Sequence, residues 1–137
     1  MLYDWNNNIS GILGETLTKV EGMEAGSEAV LFTCASGRKF RMWYKQDCCA
    51  SCDLEDVIGD PEDLIGHPLL MAEDVSCGDE PAPDNGYGPP ESFTWTFVKF
   101  ATVKGYVTLR WYGSSNGYYS ESPSFAEITP KDFKLWN

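Results

Sequence analysis

Apolar and polar positions alternate with a period of two along most of this chain, the pattern of strands with one face in a core and one toward water. In residues 30–34 the even positions, Val30, Phe32 and Cys34, are apolar. A turn signal occupies residues 35–38, and residues 39–44 then place Phe40, Met42 and Tyr44 on one face with Lys39 and Arg41 on the other. The pair reads as a β-hairpin. A second hairpin follows the same logic. Residues 92–100 alternate aromatics with threonines, so Phe93, Trp95 and Phe97 share a face; residues 102–105 turn the chain, and residues 106–112 return with Val107, Leu109 and Trp111 inward. β-branched and aromatic residues suit such half-buried pleated surfaces. Further strands are predicted over residues 16–20, 53–58 and 69–75.

Helix signals are few. Asp60-Pro-Glu-Asp-Leu-Ile-Gly66 offers an N-cap Asp, Pro at the first helical position and Gly after, which is a single helical turn. Residues 129–133 have the same shape. Residues 78–90 carry four Pro and three Gly among several acids and read as a mobile loop. Neither side of that loop is long enough to build its own core, so residues 1–137 are expected to form one domain. The predicted fold is mainly β: a single antiparallel β-sheet roll or small barrel with one or two short helical turns.

Composition sharpens this picture. The chain is 14% aromatic, enough to fill a core without long apolar runs. No run approaches the roughly 20 residues of a membrane span, and the first residues have no basic start with an apolar stretch behind it. Neither a membrane-bound nor an exported protein is expected. Ten Lys and Arg face 21 Asp and Glu, a net charge of −11, which disfavours direct contact with a nucleic-acid backbone.

The charge is unevenly spread. Residues 46–98 hold no Lys or Arg at all, yet contain Asp47, Asp53, Glu55, Asp56, Asp60, Glu62, Asp63, Glu73, Asp74, Asp79, Glu80, Asp84 and Glu91. Such a segment is a solvated face, one that docks on a basic groove of another protein, where complementary charge steers association, or a cation site.

Catalytic and metal-binding signals are weak. His67 is the sole histidine, and no nucleophile elbow precedes a helix to partner it. No phosphate loop, dinucleotide fingerprint or calcium loop is present, and no cofactor is expected. Cys48, Cys49 and Cys52 form a dense cluster, with Cys34 and Cys77 distant. A zinc site needs four ligands, usually as two spaced pairs, so no metal site is assigned. The cysteines read as reduced, buried thiols.

Residues 110–121 are the most suggestive local stretch. They read as the end of a strand and a small polar loop, with Arg110, Trp111, Tyr112, Ser114, Ser115, Asn116, Tyr118 and Tyr119 as candidate ligand contacts.

Several segments carry a resemblance. Gly14-Glu-Thr-Leu-Thr-Lys-Val20, Gln46-Asp-Cys-Cys49, Leu54-Glu-Asp-Val-Ile-Gly-Asp60, Asp63-Leu-Ile-Gly66, Ser92-Phe-Thr-Trp-Thr-Phe97, Lys104-Gly-Tyr-Val-Thr108 and Arg110-Trp-Tyr-Gly-Ser-Ser-Asn-Gly-Tyr-Tyr-Ser-Glu-Ser122 resemble the DUF7448-type family of small phage and prophage proteins of unknown function. The resemblance covers residues 13–128. It implies a phage-type origin and action in the cytoplasm of an infected bacterium, and supplies no activity.

Two function classes follow as expectations. The first is a non-enzymatic inhibitor of a host defence system, of the kind that blocks CRISPR effectors, binding a host nucleic-acid-binding protein through Asp53, Glu55, Asp56, Asp60, Glu62, Asp63, Glu73 and Asp74. The second is a binder of a small nucleotide signal at residues 110–121.

Overall fold

The computed structural model describes residues 9–44, 50–77, 92–116 and 121–128, the side chain of Cys77 excepted. Among the described residues, eight strands form two four-stranded antiparallel sheets. The first sheet has the order β1-β2-β3-β8, built from Leu17–Glu21, Ala29–Cys34, Lys39–Trp43 and Ser124–Ile128. The second has the order β4-β7-β6-β5, from Ala50–Ile58, Gly105–Ser115, Ser92–Thr102 and Met71–Cys77. The chain therefore meanders through three strands of one sheet, builds the whole of the other, and returns to close the first beside β3. The mainly β expectation holds. A single sheet or small barrel does not, because the strands divide between two sheets that share one core.

That core explains the alternation seen in the sequence. Val30, Phe32 and Cys34 from β2 and Phe40 and Met42 from β3 meet Val98 and Phe100 from β6 and Val107, Leu109 and Trp111 from β7. Phe32 spans the gap, its ring centroid 5.3 Å from Phe100 in the opposite sheet and 6.1 Å from Phe125 in its own. Both predicted hairpins form in register. Phe32 pairs with Phe40, and a two-residue turn at Val103 and Lys104 pairs Thr102 with Gly105.

The predicted helical turn is a 3-10 turn at Pro61–Leu64, where the Asp60 carboxylate accepts a hydrogen bond from the Glu62 N–H at 3.0 Å. Leu64 is fully buried beneath it. A second 3-10 turn at Ile9–Ile12 buries Ile9 and Ile12. The segment after Leu64 closes one side of the sandwich: Gly66 N–H donates to Leu17 O and Leu69 N–H to Glu15 O, both at 2.9 Å. Among the described residues no helix is long and apolar enough to cross a membrane. The loop predicted over 78–90 and the helical turn over 129–133 lie outside the described residues.

Candidate functional site

Directly paired residues of an antiparallel sheet share a face, so the registers fix what the outer side of the second sheet presents. Hairpin pairing places Trp111 opposite Thr96 and Arg110 opposite Phe97. Thr96, Val98 and Phe100 therefore point inward with Trp111, Leu109 and Val107. Phe93, Trp95 and Phe97 point outward.

The outer face is a set of cross-strand rows. Tyr106, Ala101 and Met71 form the row nearest the hairpin tip. Next comes Ile58–Thr108–Lys99–Glu73, then Asp56–Arg110–Phe97–Val75, then Asp53–Tyr112–Trp95. Ser51, Ser114 and Phe93 complete the far end. Large apolar side chains stand in solvent here: Tyr106 is 67% exposed, Val75 48%, Ile58 45% and Met71 40%. Single exposed apolar residues are ordinary; here four share one face of one sheet, divided between its two edges and the hairpin end.

The centre of the face is aromatic. Tyr112 lies 5.0 Å from Trp95 and 6.0 Å from Phe93, centroid to centroid, and Trp95 stacks on Phe97 at 6.5 Å. The Arg110 guanidinium rests over Trp95 at 4.9 Å and Phe97 at 5.7 Å, with Asp56 at 3.8 Å. Burial, followed by the charges of Glu121 and Glu55, raises the Tyr112 phenol above its ordinary value. Burial and then Glu28 raise the Asp53 carboxyl.

The predicted acidic residues surround this centre rather than forming one cluster. Asp53, Glu55 and Asp56 lie on β4 at one edge, and Glu73 and Asp74 on β5 at the other. A register shift between Leu54 and Asp56 leaves Glu55 exposed and turns Asp56 to the outer face. Asp60, Glu62 and Asp63 sit at the hairpin end, where the Asp63 carbonyl accepts a hydrogen bond from Thr102 Oγ1. Asp74 points to the inner side, at a cavity of about 20 Å³ lined by Ile9, Met42, Thr96, Val98, Pro123 and Phe125.

The polar loop expected after the strand end at residue 112 is different in the structure. β7 continues to Ser115, paired with β4 on one side and β6 on the other. Trp111 is fully buried and walls no ligand site. Ser115 is buried too, its hydroxyl donating to Glu121 Oε2 at 2.6 Å. Arg110 and Tyr112 belong to the outer face, Ser114 lies beside them, and Asn116 is exposed at the strand end. Tyr118 and Tyr119 are outside the described residues, as are Cys48 and Cys49. Local polarity mimicked a loop because both neighbours of this strand end, Ser51 and Phe93, are remote in sequence.

Cys34 and Cys52 are buried thiols. Burial, then Glu15, pushes Cys34 up to about 12, and burial, then Asp53, does the same for Cys52. Both are poor nucleophiles at neutral pH. Among the described residues no three His, Cys, Asp or Glu side chains are grouped to hold a metal ion. His67 is half-buried after the 3-10 turn.

Sequence reading missed Glu15, Arg38, Glu121 and Glu127. Arg38 donates from Nη1 to Glu15 at 2.8 Å and from Nη2 and Nε to Glu127 at 2.7 and 3.0 Å. Thr94 Oγ1 donates to Glu121 Oε1 at 2.8 Å. Burial works to raise the Glu121 carboxyl, but hydroxyls of Ser115, Ser92 and Thr94 outweigh it and hold the group below its ordinary value. A side chain added at Gly113 would collide with the Glu121 carbonyl, so the returning chain lies directly on β7 there. These contacts are tertiary, and no local pattern announces them.

No curated protein and no solved structure matches this chain. A family model, the domain of unknown function DUF7448, matches residues 10–125. With the match spanning most of both sheets, the chain belongs to the DUF7448 family.

Proposed function

We propose that this protein is a non-enzymatic interaction protein that binds a basic partner surface through the outer face of its second sheet. In this reading it is a phage-encoded inhibitor of a host defence effector, acting in the bacterial cytoplasm. The supporting observation is the arrangement of that face: half-buried Phe93, Phe97 and Tyr112 around a buried Trp95, exposed apolar side chains at Tyr106, Met71, Val75 and Ile58, and carboxylates of Asp53 and Asp56 at one edge and Glu73 at the other. Aromatic side chains give large contact area at small cost in conformational freedom, and rim charges steer and select the partner. A groove that holds nucleic acid is lined with Lys and Arg, which is the complement of this rim. Self-association is disfavoured, since two copies each carry a net charge of −11.

The small-ligand alternative on residues 110–121 has less support, because Trp111 and Ser115 are committed to the interior. The test is phage plating on bacteria armed with a nucleic-acid-targeting defence system and expressing this chain. Wild type should restore plating, and a variant with Asp53→Lys, Asp56→Lys and Glu73→Lys should not. Equal restoration by both removes the acidic rim from the mechanism.

A further inference from the structure

A sheet that ends in an open strand presents backbone N–H and C=O groups to solvent, a template for another strand. The two ends of the second sheet differ in this respect. At β4 the connection between β1 and β2 lies along the edge, with Gly26 N–H donating to Leu54 O at 2.7 Å and Leu54 N–H to Ser27 O at 3.1 Å. The bulge beside Leu54 further disrupts that edge. At the opposite end β5 is the last strand in the order, seven residues long. Among the described residues no backbone hydrogen bond from outside the sheet reaches residues 71–77.

The side chains of β5 say what kind of strand this edge admits. Met71, Glu73 and Val75 face outward, and Ala72, Asp74 and Ser76 face inward, all but Ala72 exposed. One carboxylate thus stands on each face. An incoming acidic strand, including one from a second copy of this chain, meets repulsion on both sides, so the same residues that guard the edge select a cationic strand. On the outer face a cation opposite Glu73 continues the alternation of sign that begins at Lys99, its paired neighbour on β6. On the inner face a cation opposite Asp74 reaches the mouth of the small cavity. Val75 and Met71, 48% and 40% exposed, call for apolar neighbours on either side.

We infer that β5 is where the partner adds a strand: an extended segment with two adjacent cationic residues between apolar ones docks antiparallel on residues 71–75 as a fifth strand of the second sheet. The inference rests on the proposed binding of a basic partner and deepens it by naming the bonded element and the partner's pattern. Backbone hydrogen bonds supply affinity in such strand addition, and alternate side chains supply specificity.

The probe is a capped peptide, Thr-Val-Lys-Lys-Thr-Val-Thr, titrated into the full chain and followed by residue-resolved amide exchange. Alternate amides of β5 should exchange at least about tenfold more slowly in the complex, and Glu73→Lys with Asp74→Lys should weaken binding about tenfold, a change of roughly 1.4 kcal/mol. Two further peptides keep the charge but carry N-methyl groups on one or the other alternate set of amides. Strand addition requires that one set abolishes binding and the other does not. Equal binding of the two methylated peptides, binding without protection in β5, or no binding at millimolar peptide each overturns strand addition. The broader docking proposal fails separately, if the rim-reversed variant still blocks its target.

Discussion

Glu15 precedes β1, Glu121 lies between β7 and β8, and Glu127 is within β8; each is held by at least one donor more than twenty residues away. Asp53, Asp56 and Glu73 sit on the outer face of the second sheet, Asp56 and Glu73 exposed and Asp53 half-buried. The two arginines repeat the contrast. Arg38 is gripped by two carboxylates, bidentate on Glu127, and joins the hairpin turn of the first sheet to the start of β1 and to β8. Arg110 lies across aromatic rings with Asp56 at 3.8 Å, beyond hydrogen-bond distance. Around Arg38, hydrogen-bonded charge fixes the path of the chain; around Arg110, charge rests on aromatic rings and its carboxylate partner stays open to solvent. The lesson is that a net charge of −11 does not describe this surface, because part of it is structural.

The contrast breaks most visibly at Gly113. Gly113→Val puts a side chain into the Glu121 backbone and should cost about 3 kcal/mol, read as a lower urea midpoint. Arg38→Met comes next. It leaves Glu15 and Glu127 without their cation, and with the Arg38 side chain 41% exposed the expected loss is about 2 kcal/mol after solvent screening.

Acid should separate the two groups without mutation. The Arg38 hydrogen bonds lower Glu127 against the opposing effect of burial, and the hydroxyls lower Glu121. A lowered carboxyl stabilises the fold fully above its ordinary value of 4.5 and loses that contribution as pH falls through the lower folded value. Asp53 has the opposite sign, since its carboxyl is raised, so its protonation relieves strain and offsets a little of the loss. Thermal melts should therefore fall steeply below about pH 4.5. Glu121→Gln should cost about 1 kcal/mol at neutral pH and flatten that acid limb. The smallest effect belongs to the rim: Asp56→Lys and Glu73→Lys should each change stability by no more than about 0.5 kcal/mol, though together with Asp53→Lys they abolish binding. A large loss of stability there would erase the distinction.

Much of the sheet structure was legible because period-two alternation and short turns are local. The turn at Val103 and Lys104 even contains the outer face: pairing Thr102 with Gly105 forces Phe97 opposite Arg110, by counting alone. The partition into two sheets was not legible, since β3 pairs with β8 and β4 with β7 across long intervening stretches. β8 itself carries only Phe125, Ala126 and Ile128 as apolar signal and was missed. The acidic residues were found as a run in sequence, but the sheet order distributes them to opposite edges.

The pairing of β3 with β8 has a consequence for how the protein is made. Synthesis delivers β1, β2 and β3 first, and β3 keeps an open edge until the entire second sheet has been translated. Lys39 and Arg41 on that strand put charge at the waiting edge, a guard against early association with other nascent chains. The first sheet to be translated is thus the last to be completed, and a ribosome stalled before residue 124 should hold a chain that proteases still cut within β3.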